Sequence, residues 1–271
     1  MNAVAGTGLG EFWVEAVALW TPRLADWEQA RAMLRGERAV ESMATRRPDP
    51  TVLPPNERRR CPDSVAVALT VAMAACQQAG RGPASLPSVF TSTYGDLAIT
   101  DYMCSTLASD PRSMSPTRFH NSVHNAAAGY WAIATGCMEP YMALAAGGAS
   151  FAESLLAALV QARADDTPML FVAYDIQARG PLAGVTRSEG LVGAALVLSP
   201  RCTPTAKARL RPRLDGAGAP TPARPGNAEL VAGNAMAACL SLFEALADEC
   251  PREVGLELAA GGTLAMNIES F

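Results

Sequence analysis

The sequence contains only two histidines, His120 and His124. A serine or cysteine nucleophile after residue 124 would therefore find no histidine base further along the chain. The four-residue spacing predicts that both histidines lie on one helix face. A metal site would need a third ligand, and Asn121 or Asn125 would be a poor one. Satisfied polar residues at a subunit interface are the preferred interpretation.

The sequence also lacks paired cysteines and long apolar runs. Its seven cysteines form no CxxC pair and no Cys/His cluster, which is typical of reduced thiols rather than of a disulfide framework or zinc site. We expect no metal and no cofactor. The sequence has no run of about 18 apolar residues, so it predicts no membrane span. The 49% hydrophobic and 18% charged residues therefore indicate a large core or a partner interface.

An excess of basic charge is absent as well. The 22 basic and 26 acidic residues give a net charge of −4, which argues against nucleic-acid binding. The one basic cluster, Arg58–Arg60, is interpreted as a solvated helix start, and a docking patch for an acidic carrier protein is the weaker alternative. Residues 1–6 lack the features of a secretion signal, so we expect a cytoplasmic protein.

Helices and strands alternate along the sequence, which predicts an α/β protein. The strands are apolar throughout, as in a sheet that is covered on both faces. Helices are predicted over 24–35, 65–79 (capped by Asp63 or Ser64), 97–109, 150–162 and 228–248, with loops over 44–56 and 212–226. Strands are predicted within 3–20 and over 88–93, 141–146, 169–174, 190–198, 254–258 and 264–268.

Two adjacent glycines, Gly147 and Gly148, follow the predicted buried strand Tyr141–Ala146. They indicate close backbone approach or an unusual turn. Ser150 comes next, but the sequence around it is not GxSxG. We interpret Ser150 as the N-cap of the following helix.

The segment Ser115–Trp131, with the sequence SPTRFHNSVHNAAAGYW, resembles the region before the nucleophile elbow of β-ketoacyl synthases. The element order over about 60–200 resembles the first half of this thiolase-like (ketosynthase-like) fold. Three later segments extend the resemblance: the strand Gly190–Leu198, the helix Leu230–Ala247 and the turn Gly261–Thr263. The resemblance implies one domain over 1–271, in which 1–200 corresponds to the N-terminal half and 201–271 to a shortened C-terminal half.

Members of this family need a nucleophilic cysteine on the turn after the elbow strand. They also need two histidines from the second half, which stabilise the enolate and the oxyanion. Here Gly147, Gly148 and Ala149 occupy the turn. The nearest cysteine, Cys137, precedes the strand, and so do both histidines. The resemblance therefore implies a chain that is not catalytic on its own.

This pattern is similar to chain-length-factor-like proteins of bacterial polyene clusters, including the aryl polyene type. The resemblance implies a heterodimer with an active β-ketoacyl synthase, in which this chain shapes the tunnel for a polyene or fatty acyl chain on an acyl carrier protein. Tyr141–Ala146 would be the interface strand. The expected interface and tunnel residues are His120, Asn121, His124, Asn125, Tyr130, Trp131, Tyr141, Met142 and Leu144.

Two other functions stay open. The chain could be an autonomous acyltransferase or thioesterase that uses Ser150 or Cys137, or a homodimeric acyl-binding scaffold protein. Tyr130 and Trp131 also have an ordinary interpretation, because aromatic residues in apolar stretches are more often part of the core.

Overall fold

A computed structural model of the chain describes residues 8–37, 47–231 and 233–271. Residues 1–6, from which the absence of a secretion signal was inferred, lie outside the described residues. So do residues 44–46 of the first predicted loop and the beginning of the first predicted strand region.

An eight-stranded mixed sheet forms the centre of the described chain, in the order β3-β2-β4-β5-β1-β6-β8-β7. Strand β2 is parallel to both β3 and β4, and β5 is antiparallel to β4 and β1. The last three strands extend the sheet in antiparallel fashion. The strands are β1 (Phe12–Trp20), β2 (Ser88–Thr91), β3 (Tyr141–Leu144), β4 (Met169–Ile176), β5 (Leu191–Ser199), β6 (Ala208–Asp215), β7 (Arg252–Glu257) and β8 (Thr263–Ser270).

Helices cover both faces of this sheet, as the apolar strands predicted. One core cluster joins α1, α7 and α9 to the sheet, and the other joins α3 and α6 to its opposite face. Successive residues of β4, such as Phe171 and Val172, belong to different clusters. The helices are α1 (Trp27–Leu34), α2 (Pro55–Arg58), α3 (Asp63–Ala79), α4 (Leu97–Ser109), α5 (Pro116–His120), α6 (Ala126–Thr135), α7 (Ser150–Asp165), α8 (Pro225–Ala228) and α9 (Leu240–Ala247).

Helix α3 is the buried helix that the sequence predicted, and it ends at Gly80, whose φ is 65°. It packs closely on β5, because a Cβ added at Gly193 would lie 2.5 Å from the Val67 side chain. The predicted cap is wrong, since the N-cap residue is Pro62 and Asp63 already belongs to the helix. The hydroxyl of Ser64 instead donates a hydrogen bond to Asp96 at 2.6 Å.

The arginine cluster does not start a helix. Arg58 ends the short helix α2, which begins at Pro55 because the fixed φ of proline suits a first helical position. The guanidinium of Arg58 is held by Asp49 and by the carbonyl of Leu53, both at 3.1 Å. Part of the cluster therefore fixes the preceding loop rather than facing solvent freely.

The C-terminal region differs most from its prediction. The predicted loop 212–226 begins inside β6, where the carbonyl of Pro212 accepts a hydrogen bond from the Leu9 N–H. The backbone polar atoms of Pro212 thus face Leu9 rather than β8, so its missing N–H removes no bond to β8. The predicted helix 228–248 is also wrong. It is interrupted at Gly233, which has a φ of 75°, and only α9 is regular.

Candidate functional site

The elbow is the turn that joins β3 to α7 at the C-terminal end of the parallel strands. Gly147 adopts a φ of 56°, which side-chain-bearing residues rarely do. A Cβ added at Gly147 or Gly148 would meet no atom within 4 Å. Gly147 therefore serves an unusual turn, as predicted, and neither glycine is needed for the close approach of another segment.

Ser150 closes this turn from within. Its hydroxyl accepts a hydrogen bond from the Ala146 N–H at 2.8 Å and donates one to the Gly147 carbonyl at 2.7 Å. The side chain is 1% exposed. The N-cap prediction is wrong, because Ala149 is the N-cap residue and Ser150 is the first residue of α7. Both hydrogen-bonding roles of the hydroxyl are thus occupied, which disfavours Ser150 as a nucleophile.

Cys137 lies at the opposite end of the sheet. Its Sγ is 3.7 Å from the carbonyl of Leu86, just before β2, and the residue is 7% exposed. Because β2 and β3 are parallel, this position is a strand length away from the elbow. Neither candidate nucleophile is exposed at the elbow.

The two histidines do not share a helix face, so that prediction is wrong. His120 is the exposed last residue of α5, and His124 lies in the turn before α6. Just beyond the end of α5, the Ser122 hydroxyl donates a hydrogen bond to the carbonyl of Phe119 at 2.8 Å. The Nε2 atom of His124 donates to the carbonyl of Ser92 at 2.9 Å. His124 is therefore attached to the segment that follows β2, at the elbow end of the sheet.

A buried carboxylate, which the sequence analysis missed, holds the segment after β2 at the elbow end of the sheet. Asp175 in β4 is 1% exposed and accepts hydrogen bonds from the Ser92 hydroxyl at 2.7 Å and from the N–H groups of Thr93 and Tyr94. Burial raises the pKa of this carboxyl, and the hydrogen bonds oppose that rise. The only available signal was one acidic residue in an otherwise apolar strand.

The remaining predicted residues fall into separate environments. Asn121 is 4% exposed and accepts a hydrogen bond from the Tyr130 hydroxyl at 3.2 Å. Trp131 is 1% exposed and belongs to the core cluster of α3. Asn125 is the exposed N-cap residue of α6. Within the single chain, Asn121 and Tyr130 are thus joined, whereas Trp131 lies in the core and Asn125 at the surface.

Strand β3 is the outermost strand at one end of the sheet, and β2 is its neighbour there. The prediction of a buried strand is wrong. Tyr141 is 41% exposed and Met142 and Leu144 are half-buried, because no strand of the described chain covers the outer edge. Two exposed apolar side chains precede the strand, Ile133 at 84% and Met138 at 94%. Helix α6, which carries Ile133, contacts β3. The strand β3 together with Ile133 and Met138 is called the β3 edge.

An open cleft of about 1280 Å³ lies near α3, α4 and α5. Of the predicted tunnel residues, only Asn121 lines it, beside charged residues such as Asp96 and Arg118. The described part of the chain contains no group of three or more His, Cys, Asp or Glu residues that could hold a metal ion. Among its helices, none has the length and apolarity to cross a membrane.

A family model described as the β-ketoacyl synthase N-terminal domain matches residues 25–244. A similar solved chain belongs to a ketosynthase in complex with its chain length factor from Xenorhabdus doucetiae. It has a TM-score of 0.67 at 19% identity, and the match covers 95% of this chain and 98% of the other.

Two further structures are similar at comparable length. The ishigamide ketosynthase/chain length factor has a TM-score of 0.67 at 15% identity, covering 97% of this chain and 100% of that one. A type II polyketide synthase acyl-carrier protein in complex with its ketosynthase, bound to the hexaketide, has a TM-score of 0.69 at 10% identity, with coverage of 97% and 100%. No curated protein matches significantly. At these identities the structures show the shared fold, which is thiolase-like.

Proposed function

The chain belongs to the β-ketoacyl synthase N-terminal domain family, and we propose that it is a non-catalytic member that acts as a chain-length-factor-like subunit. It pairs with an active β-ketoacyl synthase and shapes the tunnel in which a polyene or fatty acyl chain is extended on an acyl carrier protein. The partner supplies the cysteine and the two histidines, and the complex acts in the cytoplasm. Residues 201–271 are the shortened counterpart of a second half.

The observation that carries this proposal is the elbow itself. Its turn holds Gly147, Gly148 and Ala149 where the family needs a cysteine, and the Ser150 hydroxyl is buried in the turn. The imidazole of His124 is bound to a backbone carbonyl. The elbow of the family is thus present without an accessible group at the turn for the attack on a thioester.

The β3 edge supports the pairing. An exposed strand edge presents unpaired N–H and C=O groups, which favour pairing with another strand. In related heterodimers the two elbow strands run antiparallel across the pseudo-two-fold axis. The exposed side chains of Ile133, Met138 and Tyr141 would add apolar area to such an interface.

The test is co-expression with the ketosynthase encoded beside this chain, with a tag on this chain alone. We expect a stoichiometric complex. A chain that purifies as a monomer although the ketosynthase is co-expressed would contradict the proposal. A stable homodimer that ignores the ketosynthase would favour the acyl-binding scaffold instead.

Product length tests the tunnel separately from the pairing. In a complex that still forms, Met142→Trp should shorten the acyl product, because a larger side chain fills space that the chain would occupy. Val160→Trp is the control, because Val160 is half-exposed on α7, away from β3. Unchanged product length in both variants would remove Met142 from the tunnel.

A further inference from the structure

The open cleft near α3, α4 and α5 is lined by three guanidinium groups that belong to no ion pair of the described residues. They come from three separate segments. Arg60 precedes α3, Arg118 lies in α5 and Arg179 lies in the loop after β4. The fourth lining arginine, Arg47, pairs with Asp63 at 3.6 Å. Three cations at this cleft are therefore available to a ligand.

One of these cations, Arg118, is held in position by an aromatic ring. Its guanidinium lies 3.9 Å from the centroid of the Tyr102 ring, where the face of the ring attracts a cation. The Tyr102 hydroxyl donates to the carbonyl of Ser113 at 3.3 Å and accepts from the Ser115 N–H at 3.0 Å. Because both the ring and the cation are fixed, Arg118 loses less conformational freedom when it binds an anion.

Asn121 supplies a neutral donor three residues after Arg118. It is 4% exposed and lines the same cleft. Its Oδ1 accepts the hydrogen bond from Tyr130, whereas its NH₂ group has no acceptor among the described residues. The amide nitrogen is not one of the fully enclosed unpartnered atoms, so it is reached from the cleft. A nearly buried donor without a partner costs free energy, and an acceptor in the cleft would satisfy it.

The carboxylates of the cleft offset only part of this positive charge. Asp63 is paired, and Asp96 is the N-cap of α4, so the helix dipole offsets its charge. Asp101 has no hydrogen-bond donor among the described residues, and a side chain at Gly180 would clash with it. Three unpaired guanidiniums thus face one unpaired carboxylate in the described lining. This balance favours a ligand with at least two negative charges.

The shape of the site restricts the ligand further. A guanidinium binds phosphate with two parallel hydrogen bonds. Because the three guanidiniums lie on separate segments, a ligand that reaches more than one of them needs more than one anionic group. A concave site suits a small molecule. Ile99 and Ile176, which are buried and apolar, line the same cleft and would contact an organic part of the ligand.

We propose that the cleft binds the diphosphate group of a small organic molecule. One phosphate accepts hydrogen bonds from Arg118 and from the amide of Asn121, and Arg60 and Arg179 bind the other. No covalent step follows. No residue of the elbow turn or of the β3 edge lines the cleft, so the site does not depend on the proposed pairing with a ketosynthase.

The test is calorimetric titration of the purified full chain, in whichever soluble form it is obtained, with inorganic pyrophosphate and with acetate at one ionic strength. We expect saturable binding of pyrophosphate and binding of acetate that is weaker by about tenfold or more, because acetate carries one charge. ADP should bind at least as tightly as pyrophosphate, since its organic part adds contacts. Weaker binding of ADP would overturn the assignment to an organic diphosphate.

Substitutions at the cleft test which groups bind the anion. Arg118→Gln and Arg179→Gln should each weaken pyrophosphate binding about tenfold or more, the worth of one charged hydrogen bond. Asn121→Asp keeps an acceptor for Tyr130 but replaces the NH₂ donor with a negative charge, so it should weaken binding as well. Asp101→Asn removes a repulsive charge from the lining and should strengthen binding.

Arg187→Gln is the matched control. Arg187 is exposed in the same loop as Arg179 but does not line the cleft, so its substitution should leave pyrophosphate binding unchanged. All three arginine variants should keep the unfolding temperature of the natural chain. The proposal is overturned by the absence of saturable pyrophosphate binding, by equal binding of acetate, or by equal weakening in Arg187→Gln. None of these results bears on co-purification with a ketosynthase.

Discussion

Asp175 is the residue on which the segment after β2 depends most. Its carboxylate accepts hydrogen bonds from Ser92, Thr93 and Tyr94, and the carbonyl of Ser92 in turn holds His124. Asp175→Asn keeps the shape but replaces one acceptor oxygen with an NH₂ group, which would face N–H donors. We expect a loss of about 1–3 kcal/mol in the free energy of unfolding, the usual cost of buried unsatisfied groups. Urea denaturation measures it.

The control and the pH dependence follow from the same burial. Asp165→Asn, at the exposed end of α7, should change stability by no more than about 0.5 kcal/mol. Burial raises the pKa of Asp175 in the folded chain above its value in the unfolded chain, which is about 3.9. As the pH rises between these two pKa values, ionisation of Asp175 therefore lowers the free energy of unfolding. Relative to Asp175→Asn, the natural chain should thus gain stability as the pH falls through that window. A pH-independent difference would contradict this.

Single residues were predictable where the chemistry depends on sequence alone. The missing cysteine at Gly147–Ala149 and the lack of a histidine after His124 are visible without a structure. The hydrogen bond between Ser92 and Asp175 was not predictable, because it joins residues 83 positions apart. Long-range pairing of that kind depends on strand order, which periodicity does not encode.

The elbow is the element in which backbone conformation matters most. Gly147 has a positive φ and Gly148 does not, while neither would bring a new Cβ within 4 Å of another atom. Gly147→Ala should therefore lower the free energy of unfolding by about 1–2 kcal/mol from backbone strain alone. Gly148→Ala, the matched control, should stay within about 0.5 kcal/mol. Thermal and urea unfolding would measure both, and equal losses would contradict the proposed role of Gly147.

Elements with a strong local signal were predicted well. Helices α3 and α4 and strand β4 lie close to their predicted ranges, although the predicted cap of α3 is wrong. The predictions failed where tertiary contacts override local preference. Pro212 is tolerated in β6 because its backbone carbonyl faces Leu9. The predicted helix 228–248 is interrupted near Asn234, whose side chain donates a hydrogen bond to the carbonyl of Glu189 at 2.8 Å.

At the scale of the whole molecule, the sequence predicted a covered sheet but not its edges. The run Tyr141–Leu144 is as apolar as a buried strand, yet it ends the sheet and stays half-exposed. Composition had indicated either a large core or a partner interface. The structure contains a large core, which the apolar residues of β4 and β5 fill, and it also leaves apolar side chains of the β3 edge exposed. An exposed apolar strand of this kind is a liability in an isolated chain.

The last prediction concerns substitutions of exposed apolar side chains at the β3 edge. Ile133→Asp and Met138→Asp change side chains that are 84% and 94% exposed, so the chain itself should keep its unfolding temperature. In a complex with a ketosynthase, each change should raise the dissociation constant about tenfold or more, because burying one apolar side chain contributes about 1.5–3 kcal/mol. Val185→Asp is the control, since Val185 is 79% exposed but lies between β4 and β5. Binding that is unaffected by the first two changes, or equally weakened by all three, would place the partner elsewhere.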